Sequence, residues 1–499
     1  MDEFERSRIR DLGAEFGFTI GSSEAERYAC AIDEEFRGHE RLDEIAAPRS
    51  FDDAVRDVVF GPGSDIDPLN AFTSLFSHPE TAGPLSDLEI AIKDNFAVAG
   101  APMTCGSRVF ESVIPTSHAT VVSRLLAAGA TIRGKTNMDE LAYGPTSETS
   151  GFGPVSNPEA HEHVAGGSSS GSGAAVGNNT VDAALGSDTG GSVRIPAAFC
   201  GIVGFKPTWG AIPRTGMVEL AYTLDHVGPI ARDLRTAARV FDAIVGPDPG
   251  DFSSARATRL VGSAADAVEA PPAVEKLSFG LVHELFGSHV DEPVENCVRS
   301  TIDDLEGAGA TVSKVSIPDI EECVHIWNTI TNAEFADTLR SGLVPVRRRE
   351  ALDIGWQDAA AAALQAGADE LGVVARRKAI VGAKILENSR SYVRARFSAD
   401  ALYEQFETAL SDHDVLISPT MPVTAPGLGT WTPDTYSTAS DSYDVPLAYN
   451  TRPANLAGIP AMTLPCGRAD ELPVGLQLIG EEYGDLELFA AAAAVEQHV

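Results

Sequence analysis

Lysine is scarce in this chain of 499 residues, which contains only seven. Acidic residues number 72 against 37 basic ones, so the formal net charge is -35 at pH 7. A surface of this sign repels phosphate backbones and anionic lipids, which argues against direct binding of nucleic acid or membranes. Many carboxylates with few lysines are typical of proteins from salt-loving cells, where salt screens the self-repulsion; an ordinary acidic cytosolic protein is the alternative.

Cysteine pairs and long apolar runs are also missing. The six cysteines contain no CxxC pair, which favours reduced, buried thiols over a disulfide framework or a zinc site; they are Cys30, Cys105, Cys200, Cys297, Cys323 and Cys466. The first residues, MDEFERSRIR, are charged and form no apolar secretory segment. No run approaches the roughly 20 apolar residues of a membrane-spanning helix. We therefore expect a cytoplasmic protein.

The hydrophobic pattern indicates two regions. Residues 1–67 carry apolar residues at helical spacing and predict a helical N-terminal extension. From residue 68 to 499, short apolar runs such as LEIAIK alternate with alanine-rich helical segments such as ATVVSRLLAAG. Strands that alternate with helices predict an α/β fold, with a central sheet covered by helices on both faces.

The stretch GSDTGGSVR, residues 186–194, lies inside a window that is rich in glycine and serine. A flexible linker would stay polar, yet apolar pieces such as AAV, VDAAL and IPAAFCGIVGF interrupt this window. These pieces must be buried, and each unpaired backbone group that is buried with them costs about 1 to 3 kcal/mol. Chains tolerate such loops mainly where the backbone approaches a ligand closely or directs its donors at an anion.

Two motifs in this window resemble the amidase signature family of serine hydrolases. The family pairs a GGSSGGS-type run, matched by residues 166–172, with a GSDTGGS[IV]R run, matched by residues 186–194. Ser170 stands where glycine is usual, and Gly173 stands where alanine is more common. The resemblance continues from about Leu69 to the C-terminus and implies a three-layer α/β/α fold with a mixed, mostly parallel sheet.

The resemblance implies a catalytic triad of two serines and a lysine. Ser192 corresponds to the acylated nucleophile, Ser168 to the bridging serine and Lys93 to the base, and the family places the bridging serine after a cis peptide bond, here Gly167–Ser168. A lysine can remove a proton only when it is neutral, and burial lowers the pKa of its amine. Lys93 must therefore be enclosed.

The resemblance also assigns residues around the nucleophile. It implies an oxyanion hole made of the backbone N–H groups of Thr189, Gly190, Gly191 and Ser192, where one donor is worth roughly 3 to 4 kcal/mol. Asp188 and Arg194 are expected to brace this loop. Candidate substrate-binding residues are Met138, Tyr143, Trp209 and Tyr222.

Other classes of enzyme fit the sequence less well. Residues 167–171 match the G-x-S-x-G elbow of α/β-hydrolases, but no strand precedes them. His161 and His163 are the only close histidine pair and predict a solvated loop rather than a metal site. Cys200 lies in an apolar setting that suits an inert thiol. Because no member of the triad is lost, a non-catalytic scaffold with an amidase fold is a minor alternative.

We predict an amidase that hydrolyses a small carboxamide through an acyl ester on Ser192, with no cofactor or metal. The main alternative is the A subunit of a tRNA-dependent amidotransferase, which hydrolyses glutamine and passes ammonia to a partner. Amidotransferases of this kind hold the glutamine amino group with an aspartate that lies shortly before the PANLAG-like stretch. Here Ala448 and Tyr449 lie near the expected place with Arg452 close by, which favours the stand-alone amidase. Homodimers are common in the family.

Overall fold

The computed structural model describes residues 3–32, 55–76, 78, 82–343, 354–432 and 445–498. The chain divides into two compact units, Met1–Arg49 and Ser50–Val499. In the first unit, α1 (Glu3–Glu15) is followed by a helical stretch over residues 22–32. The boundary at residue 67 that the sequence suggests stays a prediction. None of the helices in the described ranges is long and apolar enough to cross a membrane.

The described part of the second unit holds one sheet of twelve strands. In chain order they are β1 (Val59–Phe60), β2 (Phe72–Leu75), β3 (Glu89–Lys93), β4 (Thr131–Thr136), β5 (Ala183–Asp188), β6 (Val203–Lys206), β7 (His226–Ala231), β8 (Ser278–Val282), β9 (Thr311–Val315), β10 (Val415–Pro419), β11 (Ala461–Ala469) and β12 (Leu472–Ile479). Their order across the sheet is β1-β2-β4-β3-β5-β7-β6-β11-β12-β10-β8-β9.

The mixed α/β fold is confirmed, but the expectation of mostly parallel strands needs correction. Parallel pairing is confined to β4-β3-β5 and β10-β8-β9, and the other described neighbours are antiparallel. A tight turn explains one antiparallel pair. Asp470 and Glu471 both have positive φ, 48° and 64°, which is the conformation of a two-residue hairpin turn, and they join β11 directly to β12.

Thirteen described helices accompany the sheet. After β1 and in chain order they are α2 (Thr120–Ala127), α3 (Ser170–Gly177), α4 (Arg194–Cys200), α5 (Leu234–Ile244), α6 (Ala264–Glu269), α7 (Glu292–Gly307), α8 (Cys323–Arg340), α9 (Ile354–Gly367), α10 (Val373–Leu386), α11 (Arg390–Leu410), α12 (Val445–Ala448), α13 (Arg452–Leu456) and α14 (Asp485–Glu496).

Two successive residues of β6 show the three layers. Neighbouring side chains of a strand point to opposite faces of the sheet. A Cβ placed on Gly204 would lie 2.6 Å from Cβ of Ala197 in α4, so α4 packs closely on that face. Phe205 faces the other way and packs edge-on against Phe241 of α5 and Phe489 of α14, with ring centroids 5.3 and 4.5 Å apart. Helices therefore cover both faces, as predicted.

The centre of the sheet brings the two signature motifs to the lysine. β3 and β5 are parallel neighbours, with Ile92 paired to Leu185. Because the carboxyl ends of parallel strands meet at one edge of a sheet, Lys93 at the end of β3 lies beside Ser187 and Asp188 at the end of β5. The GGSSSGS run enters α3 at the same edge.

Candidate active site

Lys93 is enclosed, as the sequence requires. Its side chain is fully buried, and Nζ lies 2.8 Å from Oγ of Ser168 and 2.8 Å from Oγ of Ser187. Burial lowers the pKa of Lys93 to about 7, although the carboxylates of Asp139 and Asp188 act to raise it. A substantial fraction of the amine is therefore neutral near neutral pH and can accept a proton.

Ser168 is held next to Lys93 by a segment that only glycine can form. The Gly167–Ser168 peptide bond is cis, as the resemblance implies. A Cβ on Gly167 would lie 2.0 Å from Oδ2 of Asp139, so no larger residue fits there. The Asp139 carboxylate also accepts hydrogen bonds from the backbone N–H groups of Ser147 and Thr149. It thereby packs the preceding loop against the bridging serine.

The loop that carries Ser192 is built on a buried ion pair. Arg194 Nη2 donates to Asp188 Oδ1 at 3.0 Å, and both side chains are fully buried. Asp188 also accepts hydrogen bonds from Gly191 N, Val193 N and the side chain of Asn455. Burial acts to raise the pKa of Asp188, but the charge and hydrogen bonds of Arg194 outweigh it and hold the pKa below its usual range. This geometry agrees with the predicted bracing role of Asp188 and Arg194.

Three of the four predicted oxyanion donors remain candidates. The backbone N–H groups of Thr189, Gly190 and Ser192 make no hydrogen bond to any described residue. The N–H of Gly191, in contrast, donates to Asp188 at 2.8 Å. The assignment of Gly191 therefore needs correction, because the buried carboxylate already takes its proton. Gly191 instead gives the loop a backbone conformation that favours glycine, with a φ of +132°. A side chain at this position would also collide with Thr451.

Ser192 lies at the mouth of a small cavity. It is 9% exposed, whereas Lys93 and Ser168 are fully buried, so a substrate meets Ser192 first. The cavity holds about 30 Å³, and its walls include Tyr143, Gly190, Leu220, Trp327 and Arg452. No hydrogen bond links Ser192 to Ser168 within the described ranges. The second link of the relay therefore remains a proposal.

Of the four predicted substrate-binding residues, only Tyr143 lines this cavity. Its hydroxyl donates to Oδ1 of Asn332 at 2.6 Å. The other three assignments stay predictions. Met138 is fully buried in the hydrophobic core, the guanidinium of Arg214 lies 5.1 Å from the ring of Trp209, and Tyr222 lies outside the described wall of the cavity.

Sequence reasoning did not assign a role to several residues that shape the site. Trp327 of α8 donates from Nε1 to the carbonyl of Thr189 at 2.8 Å, and the Arg452 guanidinium lies 4.5 Å from its ring. The Thr189 hydroxyl donates to Asp225 at 2.5 Å. Ser187 and Thr189 both belong to the GSDTGGS run, so the sequence already placed them near Ser192. Trp327, Asp225 and Arg452 come from other parts of the chain and carried no such signal.

Comparisons with known proteins place this chain among amidases. The family model described as Amidase matches residues 71–489. The A subunit of glutamyl-tRNA(Gln) amidotransferase from Halobacterium salinarum is 42% identical over 436 residues, which are 86% of this chain and 100% of that protein. The corresponding protein of Methanosarcina barkeri is 39% identical over 83% of this chain and 85% of its own length.

Comparison with solved structures indicates the same family. The crystal structure of the A subunit of glutamyl-tRNA(Gln) amidotransferase from Thermotoga maritima has a TM-score of 0.72 at 33% identity and covers 87% of this chain and 88% of its own. Peptide amidase from Stenotrophomonas maltophilia has a TM-score of 0.68 at 29% identity, with 83% of both chains covered. This chain belongs to the amidase signature family and is an enzyme that acts on amide C–N bonds.

Proposed function

We propose that the chain hydrolyses a carboxamide in two steps through an ester on Ser192. Neutral Lys93 accepts the proton of Ser168, and Ser168 accepts the proton of Ser192 as Ser192 Oγ attacks the amide carbon. The return of that proton to the leaving nitrogen releases ammonia or an amine, and water then hydrolyses the ester by the same relay. The observation that supports this most directly is the 2.8 Å separation of Lys93 Nζ and Ser168 Oγ in a fully buried pair.

The developing negative charge on the amide oxygen needs donors that are already in place. The N–H groups of Thr189, Gly190 and Ser192 supply these donors in the proposal. Two peptides of this loop are held on their carbonyl sides. Trp327 donates to the carbonyl of Thr189, which lies in the peptide that bears the Gly190 N–H, and Thr451 donates to the carbonyl of Gly190. The loop therefore needs little rearrangement when the charge forms.

The relatives favour glutamine as the first amide to test. The amidotransferase A subunits match this chain at 38 to 42% identity, and the Halobacterium protein is covered over its whole length. In this form of the proposal the chain releases ammonia from glutamine and works as one component of an amidotransferase. In that case the sequence-based prediction of a stand-alone amidase leaves out the partner proteins with which the chain works.

A stand-alone amidase is the second candidate, and the cavity wall favours it. Ala448 and Tyr449 lie near the place where amidotransferase A subunits carry the aspartate that holds the glutamine amino group, and Ala448 lines the cavity together with Arg452. A guanidinium attracts carboxylates and repels the ammonium of an amino acid. This candidate hydrolyses carboxamides that lack an amino group and needs no other protein.

Ammonia release by the purified chain in high salt separates these candidates. Glutamine is compared with simple aliphatic and aromatic amides, in the presence and absence of the other amidotransferase subunits and glutamyl-tRNA. Turnover of glutamine that depends on these partners supports the first candidate, and partner-independent turnover of simple amides supports the second. Trapping with hydroxylamine must yield the acyl hydroxamate in either case.

A variant pair tests the chemistry itself. Ser192→Ala is expected to abolish ammonia release while the circular dichroism spectrum stays unchanged. Ser300→Ala, an exposed position on α7, is the matched control and should keep full activity. Normal turnover by Ser192→Ala would reject the acyl-serine mechanism.

A further inference from the structure

Two cysteines outside the active site lie against each other. Cys297 belongs to α7 and Cys466 to β11, 169 positions apart in the chain. Sγ of Cys297 donates to the carbonyl oxygen of Cys466 at 3.7 Å, and Sγ of Cys466 donates to the carbonyl oxygen of Val474 at 3.4 Å. Gly467 makes room for this approach, because a Cβ there would lie 2.7 Å from Sγ of Cys297.

The surroundings of this pair differ from those of the other cysteines. Cys105, Cys200 and Cys323 are buried, and burial raises the pKa of each thiol far above its usual value. Cys30 is exposed and belongs to the N-terminal unit. Three of these thiols are therefore protonated and enclosed, and Cys30 lies far from the pair in the sequence.

The two members of the pair are chemically unequal. The neighbouring Cys466 side chain lowers the pKa of Cys297 to about 7, against the opposing effect of burial. The same contact, together with burial, raises the pKa of Cys466. Both residues are half-buried, and the neighbouring Gly467 and Arg468 are exposed, so the pair lies close to the protein surface. A nucleophilic thiolate thus stands beside a protonated partner.

We propose that Cys297 and Cys466 form a peroxide-reactive dithiol site that closes to a disulfide between α7 and β11. The Cys297 thiolate attacks an oxygen of hydrogen peroxide, the O–O bond breaks, and water leaves with one added proton. The Cys466 thiol then attacks the resulting sulfenic sulfur, which releases a second water and forms the S–S bond. One peroxide is reduced to two waters for each disulfide that forms.

Closure joins a helix to the β11–β12 hairpin across a long loop of chain. A cross-link over so many residues removes freedom mainly from the unfolded chain. The oxidised protein is therefore expected to unfold at a higher temperature than the reduced protein. Neither cysteine belongs to the triad or to the cavity wall, so removal of either thiol leaves the basal hydrolase activity unchanged.

Mass spectrometry of the purified full-length protein tests the proposal. Treatment with hydrogen peroxide is expected to lower the intact mass by about 2 Da, and a reductant should restore it. Cys297→Ser and Cys466→Ser should not show this loss. Cys30→Ser is the matched control and should show it in full.

A second measurement does not depend on the folding of any variant. Proteolysis of the oxidised wild-type protein without reductant should yield one linked pair of peptides, one with Cys297 and the other with Cys466. A mass loss that persists in Cys297→Ser, or a linked peptide from other cysteines, would overturn the assignment. Addition of oxygen to Cys297 with no mass loss would overturn it as well, because Cys466 would then fail to react with the sulfenic acid.

Discussion

Arg194 and Asp188 form a fully buried ion pair at the base of the loop that carries Ser192, with Arg194 Nη2 3.0 Å from Asp188 Oδ1. Arg194 also donates to Gln477 of β12 and Asn455 of α13. The pair therefore ties the loop to two distant parts of the chain, and the first prediction follows from it.

Arg194→Ala should destabilise the protein by about 3 to 5 kcal/mol, because it leaves the Asp188 carboxylate buried without its cation. Thermal or denaturant unfolding measures this loss. Arg232→Ala removes an exposed arginine that is paired with Asp182 and should cost only about 0 to 1 kcal/mol. Equal losses in the two variants would contradict the role of the buried pair.

The activity should rise with pH through a midpoint near 7. Lys93 has a pKa of about 7 because burial disfavours its charged form, and only the neutral amine can accept a proton. The acidic limb of kcat/KM against pH reports this group. Lys93→Ala should remove most of the rate at every pH, whereas Lys384→Ala, on an exposed helix position, should leave the profile unchanged. A wild-type profile in Lys93→Ala would contradict the assignment.

Gly190→Ala should lower kcat by about 10²-fold, since misplacement of one oxyanion donor costs that much or more. A Cβ at this position would lie 2.8 Å from Nε1 of Trp327, so the loop must move away from the tryptophan. Steady-state kinetics with a melting curve separates this effect from unfolding. Gly307→Ala is the control, because a Cβ there meets no atom within 4 Å; a similar drop in kcat for that variant would count against the prediction.

Asp225→Asn should move the acidic limb of the activity profile to lower pH. The Asp225 carboxylate is one of the charges that raise the pKa of Lys93, so its removal lowers that pKa further. Burial and the neighbouring Glu219 raise the pKa of Asp225 itself to about 7. Asparagine keeps an oxygen for the Thr189 hydroxyl, and kcat/KM measured across the pH range around neutrality would show the shift. No displacement, or one to higher pH, would exclude this coupling.

Much of the fold could be predicted from local pattern. The strand LEIAIK and the helix ATVVSRLLAAG occur where apolar spacing placed them. The direction of the strands could not be predicted, because antiparallel pairs such as β6 with β11 join segments that lie far apart in the chain. The hairpin turn at Asp470 and Glu471 contains no glycine, so it lacked the usual sequence signal.

The candidate site, too, could be predicted from the sequence only in part. The motifs placed Ser168, Ser192 and Lys93 by residue type, but they did not show that the Gly191 N–H is taken by Asp188. They also suggested Met138, Trp209 and Tyr222 for the pocket, and none of these is among the described residues that line the cavity. The cavity wall instead includes Trp327 and Arg452, which come from α8 and α13, more than a hundred residues beyond the nucleophile.

The sequence by itself determined the family and the class of reaction and predicted the triad, because the glycines and serines of two short motifs are needed where backbone packs tightly around the reacting atoms. Only the tertiary structure decided the pKa of Lys93, the shape of the cavity and the contact of Cys297 with Cys466. These properties depend on burial and on distances between elements that are remote in the chain, and residue order alone does not specify such distances.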